Sequence, residues 1–170
     1  MEDDRNDFIV VADVNSKYHN VAAYITEGLV KKDRFTAIFN LNKKYRKRLE
    51  MLRDNLYIDE EEEVTIEYIE KKCRELKEKK DLKAIAIDLE NKKLDINGKE
   101  LSKRLYELFK ELKNATISVY VRIADIYDID SNKKLEIDDI EDKEITEFAT
   151  NILLAYHNEE EKMCVDEIRK

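Results

Sequence analysis

Three runs of β-branched and small apolar residues in this chain each close on an aspartate. They are Phe8-Ile9-Val10-Val11-Ala12-Asp13, Ala84-Ile85-Ala86-Ile87-Asp88 and Val119-Tyr120-Val121-Arg122-Ile123-Ala124-Asp125. Carboxylates gathered at strand ends are the natural ligands of hard divalent cations, which take oxygen donors. A cation also relieves the mutual repulsion that would otherwise raise the acids' pKa values. The plainer role for the same residues is to stop strands, because aspartate favours turns.

The elements that must position these acids follow from periodicity. Phe8 to Val14 is continuously apolar, the pattern of a strand buried on both faces. Val21 to Leu29 is rich in β-branched and aromatic residues, and Arg34 to Leu41 alternates, with Phe35, Ala37 and Phe39 on one side. The first forty residues are therefore expected to form a three-stranded antiparallel meander. Tyr45, Leu49, Leu52 and Leu56 then make a helical stripe, with Lys43, Lys44, Lys47 and Arg48 on the remaining circumference. A second helix is expected over Thr65 to Lys80, with Ile66, Ile69, Cys73 and Leu76 inward. Cys73 thus falls where a core residue belongs and is expected to be structural.

Leu82 to Asp88 reads as a strand, and Leu89 to Gly98 as a loop or a short hairpin arm. Leu101, Leu105, Leu108, Phe109 and Leu112 define a third helix, and Thr116 to Asp125 a further strand. Ile145, Phe148, Ala149, Ile152, Leu153 and Tyr156 keep a helical period to the end of the apolar sequence. The expected fold class is α/β: a mixed central sheet, made of an antiparallel three-strand meander plus parallel strands, flanked by helices. No linker or repeat interrupts residues 1–170, which predicts a single domain. If the later strands join beside the first by right-handed crossovers, Asp13, Asp88 and Asp125 emerge at one edge of the sheet, where open α/β sheets place their sites.

This element order, with an aspartate on the first strand and another on the fourth, resembles the ribonuclease H-like superfamily. The resemblance implies a divalent-metal-dependent nuclease. Asp13 and Asp88 would then hold Mg2+ or Mn2+ together with Asp125 or an acid of the final helix, Glu144 or Glu147, and the paired ions would cleave phosphodiesters. The resemblance also implies a helix carboxylate after the meander, where neither Glu50 nor Asp54 stands out. Lys43, Lys44, Lys47 and Arg48 would meet nucleic-acid phosphates. The alternative on the same fold is a non-catalytic interaction or structural domain.

Composition narrows the setting. Hydrophobic residues are 42% of the chain and charged residues also 42%, a core in a densely charged skin. The net charge of -8 argues against a dedicated nucleic-acid coat. The Lys/Glu enrichment suits a thermophilic, archaeal source. Cys73 and Cys164 lack metal spacing, no apolar run reaches membrane length, and the start Met1-Glu2-Asp3-Asp4 is the opposite of a basic signal region, so a reducing cytoplasm is expected. Residues 128–139, with Asp128, Asp130 and Asn132 at alternate positions and Asp139 at the close, resemble a calcium-binding EF-hand loop. Lys133 stands there in place of the glycine of the turn. His19 and His157 have no paired ligand in the sequence.

Overall fold

The computed structural model describes residues 6–14, 21–90, 92–123, 134–157 and 163–170. Its centre is a seven-stranded sheet of order β3-β2-β4-β5-β1-β6-β7. The strands are β1 (Phe8–Asp13), β2 (Thr36–Phe39), β3 (Leu56–Ile58), β4 (Ala84–Asp88), β5 (Thr116–Val121), β6 (Asn151–His157) and β7 (Met163–Arg169). All neighbours are parallel except β6 and β7. The helices are α1 (Val21–Lys31), α2 (Lys43–Leu49), α3 (Ile66–Lys80) and α4 (Gly98–Leu112).

The α/β class with a mixed sheet between helices is as expected, whereas the antiparallel meander is not formed. The second segment is the helix α1, which buries Ala22, Ala23, Thr26 and Val30 at helical spacing and ties Glu27 to Lys31 at 2.9 Å. Its β-branched residues serve the packing face of a crossover, and tertiary burial outweighs their strand preference. β2 is consequently not beside β1: β4 and β5 lie between them. The expected final helix is likewise replaced. A 3₁₀ turn covers Lys143–Thr146, and β6 then pairs β1 on one side and β7 on the other. Thr150 fixes the entry of β6, its hydroxyl accepting the Phe8 N–H at 2.9 Å and its N–H donating to the Phe8 carbonyl at 2.8 Å.

Three expectations survive intact. α3 starts on Thr65, whose hydroxyl accepts the Tyr68 N–H at 3.1 Å, and it buries Ile66, Ile69 and Cys73. α4 starts on Asn97, which accepts the Glu100 N–H at 2.8 Å, and its stripe of Leu101, Leu105, Leu108 and Leu112 is buried. β4, β5 and β1 run parallel and adjacent, so their carboxyl ends share one edge.

The core is divided by the sheet. On one face Phe8, Val10, Ala12, Ile85, Ile87, Ile117 and Val119 meet α3, α4 and the 140–149 segment. On the other, Val11, Ala86 and Tyr120 meet α1 and the segment from Leu41 through Leu49. Among the described residues no helix is long and apolar enough to cross a membrane.

Candidate functional site

Strand alternation decides which acids can meet. Val11 and Ala86 both belong to the α1 face, so Asp13 and Asp88, two residues further along their strands, point to that face at its carboxyl edge. Tyr120 lies opposite Asp88 in the β4/β5 register and opposite Val11 in the β5/β1 register. Its ring therefore stands between the two aspartate-bearing strands. Both aspartates are buried, Asp13 at 4% and Asp88 at 0% exposure.

A third acid joins them. The chain turns directly after Asp88, whose carboxylate accepts the Glu90 N–H at 2.9 Å, while the Leu89 N–H donates to the Tyr120 carbonyl at 2.8 Å. Asn40, in the left-handed region at φ 63, donates its amide to the carbonyls of Asp88 and Lys92 at 2.7 and 2.8 Å and pins this turn to the end of β2. Glu90 is thereby folded inward beside Asp88 and Asp13. Loss of water raises its carboxyl pKa, and the two aspartate charges raise it further, to about 9. At neutral pH Glu90 is thus a protonated acid. One of its oxygens, Oε2, has no hydrogen-bond partner among the described residues, and the neighbouring Tyr120 hydroxyl, next to Ser118, has its pKa raised by burial despite the Ser118 hydroxyl, with Glu90 and Asp88 adding to the rise. A buried polar oxygen without a protein partner calls for an explanation, of which a bound water or a ligand is one.

Of the residues singled out from sequence, Asp13 and Asp88 lie buried at the same edge of the sheet, on β1 and β4 with β5 between them. Asp125 lies outside the described residues. Glu147 follows the 143–146 turn on the opposite face, where its neighbours Ile145 and Ala149 join the α3/α4 core, and it lies 3.9 Å from Lys99. Glu144 belongs to that same turn. Sequence reasoning missed Glu90 and Tyr120. The motif Asp88-Leu89-Glu90 was visible, but only the tight turn shows that the glutamate points back into the site.

The basic helix α2 is partly neutralised by acids: Lys43 pairs with Glu62, and Arg48 meets Glu27 at 3.2 Å. Lys44 lies 5.0 Å from the Tyr45 ring centre. Of the EF-hand resemblance, positions 128–133 lie outside the described residues. Asp139 closes a capping box, its carboxylate accepting the Glu136 N–H at 2.8 Å. Cys73 is fully buried, as expected, and its thiol pKa is raised by burial.

Comparison with known proteins bears on the fold. A solved ATPase domain is similar to this chain with a TM-score of 0.63 and 13% identity, over 96% of this chain and 81% of that domain. At that identity the likeness shows the fold alone. It is a widely shared fold, since 219 solved chains are similar, so function must be argued from the site. No protein-family model matches the sequence, and no curated protein does.

These findings correct the ribonuclease H-like reading and the nuclease drawn from it. That reading rested on an antiparallel meander before the fourth strand, and the first strands are instead joined by a helix and run parallel. The similar structure is an ATPase domain. Nor, among the described residues, do three or more His, Cys, Asp or Glu side chains form a group able to hold a metal ion, as a two-metal cage requires. The non-catalytic alternative, drawn on the same fold, is not better supported.

Proposed function

We propose that this chain is a RecA-like domain of the nucleotide-binding class, which takes a Mg2+-nucleotide at the carboxyl edge of β1, β5 and β4 without a glycine-rich phosphate loop. The observation that carries this reading is the pair of buried aspartates, Asp13 and Asp88, with the half-buried Glu90 between their strands' ends, its Oε2 without a hydrogen-bond partner among the described residues, at the edge where parallel sheets bind ligands. The sheet order and the likeness to an ATPase domain support it.

The donor set suits the ion. Mg2+ bound with a nucleotide needs only one or two protein carboxylates, the rest of its shell being phosphate and water, and in nucleotide-binding folds of this kind an aspartate ending a buried strand serves it. Asp88 would hold it, with Glu90 Oε2 beside it. Bound Mg2+ supplies the positive charge that lets anionic phosphates approach carboxylates. Asp88 positions Glu90 through its N–H, Asn40 fixes the turn, and burial beneath α1 excludes water.

The sequence also limits the activity. A phosphate cradle of the form G-x-x-x-x-G-K-[ST] lines up backbone N–H groups around the phosphates. Between β1 and α1 this chain reads Val14-Asn15-Ser16-Lys17-Tyr18-His19-Asn20, without glycine. Its two glycines lie elsewhere, Gly28 within α1 and Gly98 at the start of α4. Affinity must then come through the ion, and efficient hydrolysis is not expected.

Thermal melting tests the reading. ATP or ADP together with Mg2+ is expected to raise the melting temperature, and nucleotide with a chelator is not. A ligand tenfold above its Kd adds about 1.4 kcal/mol to a native state that alone binds it. A flat response to every Mg2+-nucleotide, or a shift that survives chelation, contradicts the proposal. A nucleic-acid contact through Lys43, Lys44, Lys47 and Arg48 is a separate proposal, checked by salt-dependent binding of single-stranded DNA.

A further inference from the structure

β7 is the last strand of the sheet. It pairs with β6 along its whole length, from Asn151 opposite Arg169 to His157 opposite Met163. Among the described residues no strand lies against its other side, so a row of backbone donors and acceptors is open there. The residues along that row are Asp166-Glu167-Ile168-Arg169-Lys170: two acids, an isoleucine, two bases.

We propose that this edge pairs with the same edge of a second copy, antiparallel, across a twofold axis at Ile168. In antiparallel strands directly opposed residues share a face and interact. With Ile168 opposite Ile168, Glu167 falls opposite Arg169 and Arg169 opposite Glu167 on one face. On the other, Asp166 falls opposite Lys170 and Lys170 opposite Asp166. Every charged position meets its opposite, and the contact is isologous and closed. The two sheets continue into one.

Charges on edge strands ordinarily keep other strands away. Here the order of signs makes that exclusion selective. Centring the pair on Glu167 sets glutamate against glutamate, and centring it on Arg169 sets arginine against arginine. A parallel, in-register pair stacks every charge on its like. Of the registers centred on Asp166, Glu167, Ile168 or Arg169, only the one on Ile168 sets no charge against its like, so the sequence of signs selects an alignment within this segment.

Within one copy Glu167, Arg169 and Lys170 are exposed and Asp166 is half-buried, and none of these charges is idle. Arg169 Nε lies 3.4 Å from Glu167 along the same strand, with 54% and 43% side-chain exposure. Glu167 accepts the Asn151 amide at 2.7 Å. Lys170 Nζ donates to the carbonyls of Thr146 and Glu147 at 2.7 and 2.8 Å, and Asp166 faces Lys134 at 3.4 Å. The Glu167/Arg169 pairs can exchange partners across the axis by small rotations and so carry the selectivity. The Lys170 ammonium is already held and contributes less. This inference does not depend on the nucleotide site.

Sedimentation velocity from micromolar to near-millimolar protein, with wild type, Glu167→Lys, Arg169→Glu and an equimolar mixture of the two variants, tests it. Wild type is expected to dimerise reversibly. Each variant alone turns two attractive contacts repulsive and should weaken the dimer about tenfold or more. The mixture should recover it, because each variant then meets its opposite charge. Both sites are exposed, and circular dichroism of each variant verifies that the fold is kept. A wild type that stays monomeric throughout, variants that dimerise as well as wild type, or a mixture that fails to recover would each overturn the proposal.

Discussion

Two buried carboxylates follow strands of the same sheet, and they are treated in opposite ways. Asp59, directly after β3, is 1% exposed. It accepts the hydroxyls of Tyr57 and Tyr68 at 2.8 and 2.5 Å and the Glu61 N–H at 3.0 Å. Burial, together with the hydrogen bonds and charge around Asp59, raises the pKa of both phenols, so they remain donors. Lys72 lies 5.7 and 5.9 Å from the two ring centres. Asp88, after two more elements, ends β4 with a second carboxyl group folded against it and a third one, Asp13, close enough to act on that group. The first arrangement is electrostatically closed. The second gathers three acids whose repulsion raises the pKa of Glu90, and leaves Glu90 Oε2 without a hydrogen-bond partner among the described residues.

Breaking the closed site should have the largest effect. Asp59→Ala strands two buried hydroxyls and removes charge-assisted hydrogen bonds, and is expected to destabilise by about 3 kcal/mol in urea unfolding. Cys73→Ser comes next, placing a hydroxyl in the α3 core where the thiol packs as a small hydrophobe, at about 1–2 kcal/mol. In native protein a thiol reagent should modify Cys164 far faster than Cys73, since the latter is buried with its pKa raised.

Glu90→Gln sharpens the contrast by being nearly silent below about pH 4.5, within about 1 kcal/mol, because there a carboxyl that is neutral in both folded and unfolded states is replaced by a neutral amide of similar shape, and at neutral pH the variant should be the more stable protein. Its signature is in pH. The native pKa of about 9 lies above the ordinary value of 4.5, so the folded state holds a proton that the unfolded state has lost. The resulting stability is fully present below pH 4.5, falls as pH rises, and is gone above about 9. Unfolding of the Gln variant should lack that slope. Gly98→Ala is also small: the added methyl would press on the Asp142 carboxylate, and because that side chain can swing away the expected loss stays below about 1 kcal/mol.

The contrast also marks how far sequence can be read. α3 and α4 were legible because cap, stripe and length agree, from Thr65 and Asn97 onward. That β1 and β4 carry Asp13 and Asp88 to the same edge of the sheet was legible because strands ending alike in an α/β order run alike. α1 was not, since Val21, Ile25, Thr26 and Val30 favour a strand in isolation while Ala22, Ala23, Thr26 and Val30 also satisfy a helical face. That ambiguity produced the meander and, with it, the wrong superfamily. Ile152, Leu153 and Tyr156 fit helix and doubly paired strand equally well, and only the β1 and β7 ladders decide between them. Glu90 and Tyr120 depend on a turn and a cross-strand register, neither of which a periodicity contains.

The central claim is that the acid set under α1 is a ligand site. It is tested most directly by melting the wild type and Asp88→Asn with ATP, with and without Mg2+. The account predicts that the wild type is stabilised only by the two ligands together and that the variant, folded and otherwise similar, shows no such gain. Equal stabilisation of both proteins, or of neither, would contradict it.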